Sequence, residues 1–308
     1  MCTIGVKYLD QHGWVGVKNR DRNYKTDVEI VQSNRYGAQR LYIDDKLTRW
    51  TEGVNEHGVA IISSSFSVKS DEKEGDKIEL RKKHKNKRSQ AGYYSSDGKL
   101  IRQALLKKTP EAALKLLVDN ELCGAIYVFT GDKCYLLEGG YTVKKVDASE
   151  ENPRDYIHKV QEIKPEKGFS CRTNHGVLVP LLGYHRNPTD PRLIRARKGS
   201  EKRLEYASNF LSKDLTSADD PSDLIDAFAQ TPDKDVFMNP IRQGDIKKSE
   251  MVTTGQLLII PKERTLHYRP IYSSVSFDYN RLSGPEAKTF FEIISSRKLL
   301  SFKEFVDK

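Results

Sequence analysis

The first residues of the chain constrain the fold more than any others. Residues 3–9 (TIGVKYL) alternate, with Ile4, Val6 and Tyr8 on one face, which is the period of a strand. DQHG follows as a turn, and WVGVKNR opens a second extended run. Two such runs across a short glycine-containing loop predict a hairpin at the very start of the chain. Further strands are expected at 27–32, 58–64, 124–130, 134–140, 141–146, 256–261 and 265–269, with Gly131 and Asp132 as the turn between 124–130 and 134–140.

Helical patterns fill the gaps. LIRQALLKK (100–108) leads into Thr109-Pro110-Glu111, an N-cap followed by proline at the first helical position, and then AALKLLVDN. Residues 191–211 are amphipathic and basic, 222–230 predict a short helix, and Ser283-Gly284-Pro285-Glu286 fits a capping box ahead of a last helix. Strands gather early and late with helices between and after them. That order predicts an α+β fold rather than repeated βαβ units. With 308 residues and no internal repeat, the chain is expected to form a single domain over 1–308 with a substantial core.

Residues 69–97 interrupt the pattern. Five acids lie within Asp71–Glu79, and Arg81, Lys82, Lys83, Lys85, Lys87 and Arg88 follow within eight residues that contain no acid. Such a stretch has too little apolar surface for a core, and it is expected to be a surface excursion. The basic run Arg81–Arg88 carries much of the net charge of +9, which arises from 52 Lys and Arg against 43 Asp and Glu and favours anionic partners. No apolar run reaches the roughly 20 residues of a membrane-spanning helix, and no basic start leads into an apolar stretch as in a signal peptide. The four cysteines (Cys2, Cys123, Cys134 and Cys171) form no CxxC pair. A reducing, cytoplasmic setting is therefore expected, with Cys123, Cys134 and Cys171 packed in core strands.

Cys2 stands apart. Removal of an initiator methionine before a small residue would leave cysteine as the terminal residue, with a thiol and a free α-amine on one carbon framework. An α-amine titrates near ~8, low enough to act as a base at neutral pH. Thiolate attack on a carbonyl, followed by protonation of the leaving amine, is acyl-transfer chemistry carried by one residue. The second strand brings Lys18-Asn19-Arg20-Asp21 alongside Cys2, where a carboxylate can hold the amine and a cation can favour the thiolate.

MCT at the start, the KNRD element, VNEHGVAI (54–61), Thr173-Asn174-His175 and Ser-x-x-Arg at 200–203 occur in this order. Together they resemble the linear amide C–N hydrolase family of N-terminal-nucleophile hydrolases, which includes choloylglycine (bile salt) hydrolases, penicillin V acylases and acyl-CoA:6-aminopenicillanate acyltransferases. VKNRDR is also similar to the NRDE motif of another family in that superfamily that begins at Cys2. The first resemblance implies a four-layer αββα sandwich of two stacked, mostly antiparallel sheets between helix layers.

It also implies roles. Cys2 would be the nucleophile, Asp21 would hold the α-amine, Asn174 would position substrate and polarise its carbonyl, and Arg203 would organise charge around the thiolate. The family's arginine beside the thiol corresponds to Lys18, with Arg20 two residues on along the same strand face. The oxyanion-hole asparagine, about ten residues beyond the NEHG asparagine, corresponds to Ser65, whose hydroxyl or N–H would donate more weakly than an amide. Asn55 reads as a turn and packing residue.

The implied reaction cleaves a linear, non-peptide amide through a thioester, or passes the acyl group to an amine, and needs no metal or organic cofactor. The substrate would be a small N-acyl amide or an acyl-CoA, with Arg20, Arg81, Tyr93 and Tyr94 as substrate-binding residues and the 69–97 segment as an anion-attracting lid. The competing reading of the basic run is a non-catalytic nucleic-acid patch. No membrane partner is expected, and a homo-oligomer is left open.

Overall fold

The computed structural model describes residues 2–34, 38–66, 95–141, 156–183, 191–213, 220–221, 223–242, 251–271 and 273–278. Strand 141–146 beyond its first residue, the segment 283–308, and residues 69–94 with Arg81, Tyr93 and Tyr94 lie outside them.

The chain opens with the expected hairpin, β1 (Cys2–Leu9) and β2 (Gly13–Arg22). Leu9 pairs with Gly13 and Cys2 with Arg20, so a three-residue loop sets the register. Gly13 is required there: its φ is +68°, and a Cβ would lie 2.1 Å from the Gly131 carbonyl oxygen, which accepts from Trp14 N at 2.8 Å.

Five strands follow, β3 (Thr26–Ser33), β4 (Arg40–Asp45), β5 (Thr51–Asn55), β6 (Ala60–Ser64) and β7 (Gly124–Phe129), with helices α1 (Ser95–Ala104) and α2 (Pro110–Asp119) between β6 and β7. Then come β8 (Cys134–Tyr141), β9 (Tyr156–Ile163), β10 (Phe169–Arg172), α3 (Pro191–Ser212), α4 (Asp223–Phe228), β11 (Val252–Ile260), β12 (Thr265–Pro270) and β13 (Ser273–Asp278).

The strands form two sheets, in orders β10-β1-β2-β11-β12 and β13-β3-β4-β5-β6-β7-β8-β9. Every pair is antiparallel except β13 with β3. Alternation along each strand shows the layering. In β7, Ala125, Tyr127 and Phe129 join a core with Ile4, Val6, Trp14, Leu257 and Ile259 of the smaller sheet. Their neighbours Ile126 and Val128 pack instead on Leu100, Ile101 and Ala104 of α1 and Ala113, Leu114 and Leu117 of α2. On the far side, Val15, Val17 and Leu258 of the smaller sheet meet Ala207 and Leu211 of α3 and Leu224, Ile225 and Phe228 of α4. Apolar burial on both faces of both sheets fixes a four-layer αββα sandwich. Among the described residues no helix is long and apolar enough to cross a membrane.

Local signals behave as expected where capping decides them. Thr109 accepts from Ala112 N at 3.2 Å and starts α2 at Pro110. Helix α1 is shifted from the 100–108 pattern: it begins at Ser95, inside the segment expected to be a surface excursion, and ends at Ala104. Its end is set by Asn55, whose Nδ2 donates to the Leu105 and Lys107 carbonyls at 3.0 and 2.7 Å. The same side chain accepts from His57 N and Val59 N through Oδ1, which makes it the turn residue between β5 and β6. Cys134 and Cys171 are buried, but Cys123 is half-buried in the turn before β7 rather than in a strand. All four cysteines are free thiols.

Candidate active site

Strand β1 begins at Cys2, and the hairpin register decides what surrounds it. Because Cys2 faces Arg20 across the ladder, the even-numbered residues Lys18, Arg20 and Arg22 share its face between the two sheets. Asn19 and Asp21 point to the helices on the other side, where Asn19 Nδ2 donates to the Phe228 carbonyl at 2.7 Å.

The far end of the site comes from β10 and α3. Strand β10 pairs with the open edge of β1, so the chain leaves it at Thr173-Asn174-His175 beside Cys2. Asn174 is fully buried, and its Oδ1 accepts from Cys2 N at 3.0 Å and from Arg203 Nη2 at 3.2 Å. Its Nδ2 donates to Ser64 Oγ at 3.0 Å and to the Ser65 carbonyl at 2.8 Å. Ser200, one turn before Arg203 on α3, fastens this element. Its Oγ accepts from Asn174 N at 3.1 Å and lies 2.8 Å from His175 Nδ1, while its carbonyl accepts from Thr173 Oγ1 at 2.9 Å. The Thr-Asn-His and Ser-x-x-Arg elements are thus two halves of one buried junction.

Three residues expected at the site, Cys2, Asn174 and Arg203, meet around the Asn174 amide. Asp21 sits one residue beyond Cys2's cross-strand partner; its carboxylate accepts from Thr253 Oγ1 at 2.8 Å and pairs with Arg242 Nε at 3.4 Å. Lys18 and Arg20 are locked by buried carboxylates. Lys18 Nζ donates to Glu52 and, at 2.7 Å, to the Ser63 carbonyl, and Arg20 Nη2 donates to Asp45.

Two of the expected residues make contacts other than the expected ones. Ser65 meets the site through its carbonyl, an acceptor, because the chain leaves β6 after Ser64; the hydroxyl beside Cys2 is that of Ser64, which donates to the Cys2 carbonyl at 3.4 Å. Asn174 was expected to polarise a substrate carbonyl, yet both hydrogens of its amide nitrogen are engaged, and it serves as a holder of the Cys2 nitrogen. The sequence reading also passed over Arg22, whose Nη1 donates to Cys2 Sγ at 3.6 Å and to the Asp21 carbonyl at 2.7 Å. Even spacing from Lys18 and Arg20 was the available signal.

The electrostatics separate Cys2 from the other buried thiols. Burial pushes Cys171 up to about 12 and Cys134 well above its ordinary value. Burial pushes Cys2 up too, but the charges of Lys18, Arg22 and the terminal amine together outweigh it, against an opposing push from Asp21, and bring the thiol down to about 7. His175 is no rival base: burial, with Arg197, Arg203 and Arg172 around it, drives it down to about 3. Since the thiolate is the reactive form, alkylation of Cys2 by iodoacetamide is expected to rise with pH through a midpoint near 7 and level off above it. The mass of the N-terminal peptide, followed across pH, checks this; a midpoint at the ordinary thiol value of 9.0 would refute it.

The class defined by fold and site is therefore an αββα sandwich with a buried cysteine, its thiol lowered, at the start of its first strand. No family model and no curated protein matches the chain. Among solved structures it is similar to penicillin V acylase from Agrobacterium tumefaciens, at 11% identity over 88% of this chain and 86% of that chain, with a TM-score of 0.37. It is also similar to a mutant conjugated bile acid hydrolase from Clostridium perfringens, at 11% identity over 88% of this chain and 89% of that chain, with a TM-score of 0.40.

Proposed function

We propose that the chain is an N-terminal cysteine amidohydrolase that cleaves a linear, non-peptide C–N amide through a Cys2 thioester. The observation that carries this reading is that nitrogen and sulfur of one buried residue are held by different side chains: Cys2 N by Asn174 Oδ1 at 3.0 Å and Cys2 Sγ by Arg22 Nη1 at 3.6 Å. A structural cysteine needs neither contact. A nucleophile whose own amine is the base needs its nitrogen oriented and its sulfur supplied with positive charge.

In this reading whatever precedes Cys2 is removed, freeing the α-amine. The amine takes the thiol proton, the sulfur attacks the amide carbon, and the carbonyl electron pair moves to oxygen. Collapse of that intermediate breaks the C–N bond, and the ammonium passes its proton to the departing amine. Water then attacks the thioester, gives a proton back to the α-amine, and releases the acid as the thiol reforms. Asn174 and Arg203 position the amine, and Asp21 balances the cluster of cations. The amine base replaces a histidine, consistent with His175 being held neutral. The acyl acceptor is water in the hydrolase and an amine in an acyltransferase; adding an amine to the assay below separates the two.

The test combines two mass measurements. The purified chain is expected to begin at Cys2, and incubation with a panel of N-acyl amides and acyl-CoAs is expected to add an acyl mass to the N-terminal peptide. Hydroxylamine should remove the adduct, and Cys2→Ala should not form it. Retention of residues ahead of Cys2, or an adduct that survives in Cys2→Ala, would overturn the proposal.

A further inference from the structure

The three cations that share the face of Cys2 have different employments. Lys18 is fully buried against Glu52, whose Oε1 also accepts from Ser63 N at 2.9 Å and Ser63 Oγ at 3.0 Å. Arg20 is buried against Asp45, which also accepts from Tyr24 OH at 3.2 Å and from Leu47 N and Thr48 N at 2.9 and 3.2 Å. Both are thereby held by carboxylates that are themselves pinned by backbone or hydroxyl donors. Arg22 is the described side chain whose N–H reaches Sγ, and the same nitrogen also donates to the Asp21 carbonyl.

We infer that Arg22 is a catalytic residue that holds the Cys2 thiolate by direct contact, while Lys18, the position that matches the expected arginine, acts on the sulfur only through its field. The inference rests on Cys2 being the nucleophile. Once the thiol proton has moved to the α-amine, the sulfur carries a full negative charge in a buried site, and a guanidinium N–H aimed at it supplies a charge-assisted hydrogen bond. An ammonium bound to Glu52 cannot deliver that bond without breaking a buried ion pair. A guanidinium also keeps a second N–H for the Asp21 carbonyl, so its position is fixed while it donates to sulfur. The charged groups set around the thiol are Lys18, Arg20, Asp21 and Arg22 of β2, Asp45 of β4, Glu52 of β5, Arg203 of α3 and Arg242 ahead of β11. The hydrogen bond to Sγ among the described residues comes from Arg22.

The test reads the thiol without any substrate. Iodoacetamide alkylation of the Cys2 peptide is followed from pH 5 to 10 in the full chain and in Arg22→Gln and Arg22→Lys, with circular dichroism confirming the fold of each. Arg22→Gln is expected to raise the midpoint by about one pH unit and to slow alkylation at pH 7 roughly fivefold. Arg22→Lys keeps the charge but loses the fork and should fall between. Should Arg22→Gln fail to fold, Arg22→Lys carries the test alone: a midpoint above that of the parent chain supports the inference, and an unchanged one overturns it. Superimposable profiles in all three chains likewise overturn it. Because no acyl compound is used, a shifted profile in a chain that never forms an acyl adduct would sink the proposed function and leave the Arg22 contact standing. An adduct with unshifted profiles would do the reverse.

Discussion

Replacing Glu138 by alanine is expected to cost about 3–5 kcal/mol of stability, the range for removing one partner of a buried ion pair, and to slow labelling of Cys2, more than 130 residues away in sequence. Glu138 is fully buried on β8. Its Oε1 accepts from Arg172 Nε at 2.6 Å, and its Oε2 accepts from Val177, Leu178 and Val179 N–H at 2.8, 2.8 and 3.1 Å. Without the carboxylate those three N–H groups and a buried guanidinium lose their acceptor at once. The damage is directional, because Asn174 lies between Arg172 and the 177–179 loop. A loop released at both ends no longer presents Oδ1 to the Cys2 nitrogen. Urea unfolding gives the stability change and iodoacetamide labelling of the N-terminal peptide gives the effect on the site. Glu138→Gln keeps acceptor oxygen for the loop and should lose less. A change below 1 kcal/mol in Glu138→Ala would show that water or a rearranged loop replaces the carboxylate.

The second large effect is expected at Lys18. Lys18→Met leaves Glu52 buried without its cation, again a loss of about 3–5 kcal/mol. Adding Glu52→Gln removes the stranded charge while preserving an acceptor for Ser63 N and Oγ, so the double variant should be more stable than Lys18→Met alone, a non-additivity that a double-mutant cycle in urea would read directly. The two single changes should also move the thiol in opposite senses. Loss of the Lys18 charge, which helps to lower Cys2, shifts its alkylation midpoint upward, and loss of the Glu52 charge shifts it downward. Additive stabilities would mean that the pair is not coupled in the folded protein.

These buried charges also explain what could and could not be read from the sequence. Strand β1 was legible because its apolar residues repeat with the period of a pleated strand, and β2, β7 and β11 because they carry short runs of apolar and β-branched residues. Strands β4 (RLYIDD) and β5 (TEGVN) were not, since their interior faces carry Asp45 and Glu52, and charges inside a sandwich imitate a surface loop. Short β10 was missed for lack of length, and β9 because as an edge strand it exposes much of its side-chain surface. Cys2, Asn174 and Arg203 were found through motif order. Arg22 was missed because it depends on hairpin register, which the turn DQHG leaves open: a two-residue turn would set Cys2 against Asp21 and send Lys18, Arg20 and Arg22 to the opposite face. The three-residue loop observed turns them inward.

The bond between Cys2 N and Asn174 spans 172 positions of sequence, and it exists only when β10 has docked on the free edge of β1. Contacts of such long separation form late, after the chain has met the entropy of closing the intervening loop. Until then nothing from β10 holds that nitrogen beside the thiol. In the proposed reaction the base would therefore be placed only as folding completes, so a newly made or half-denatured molecule would lack a positioned amine.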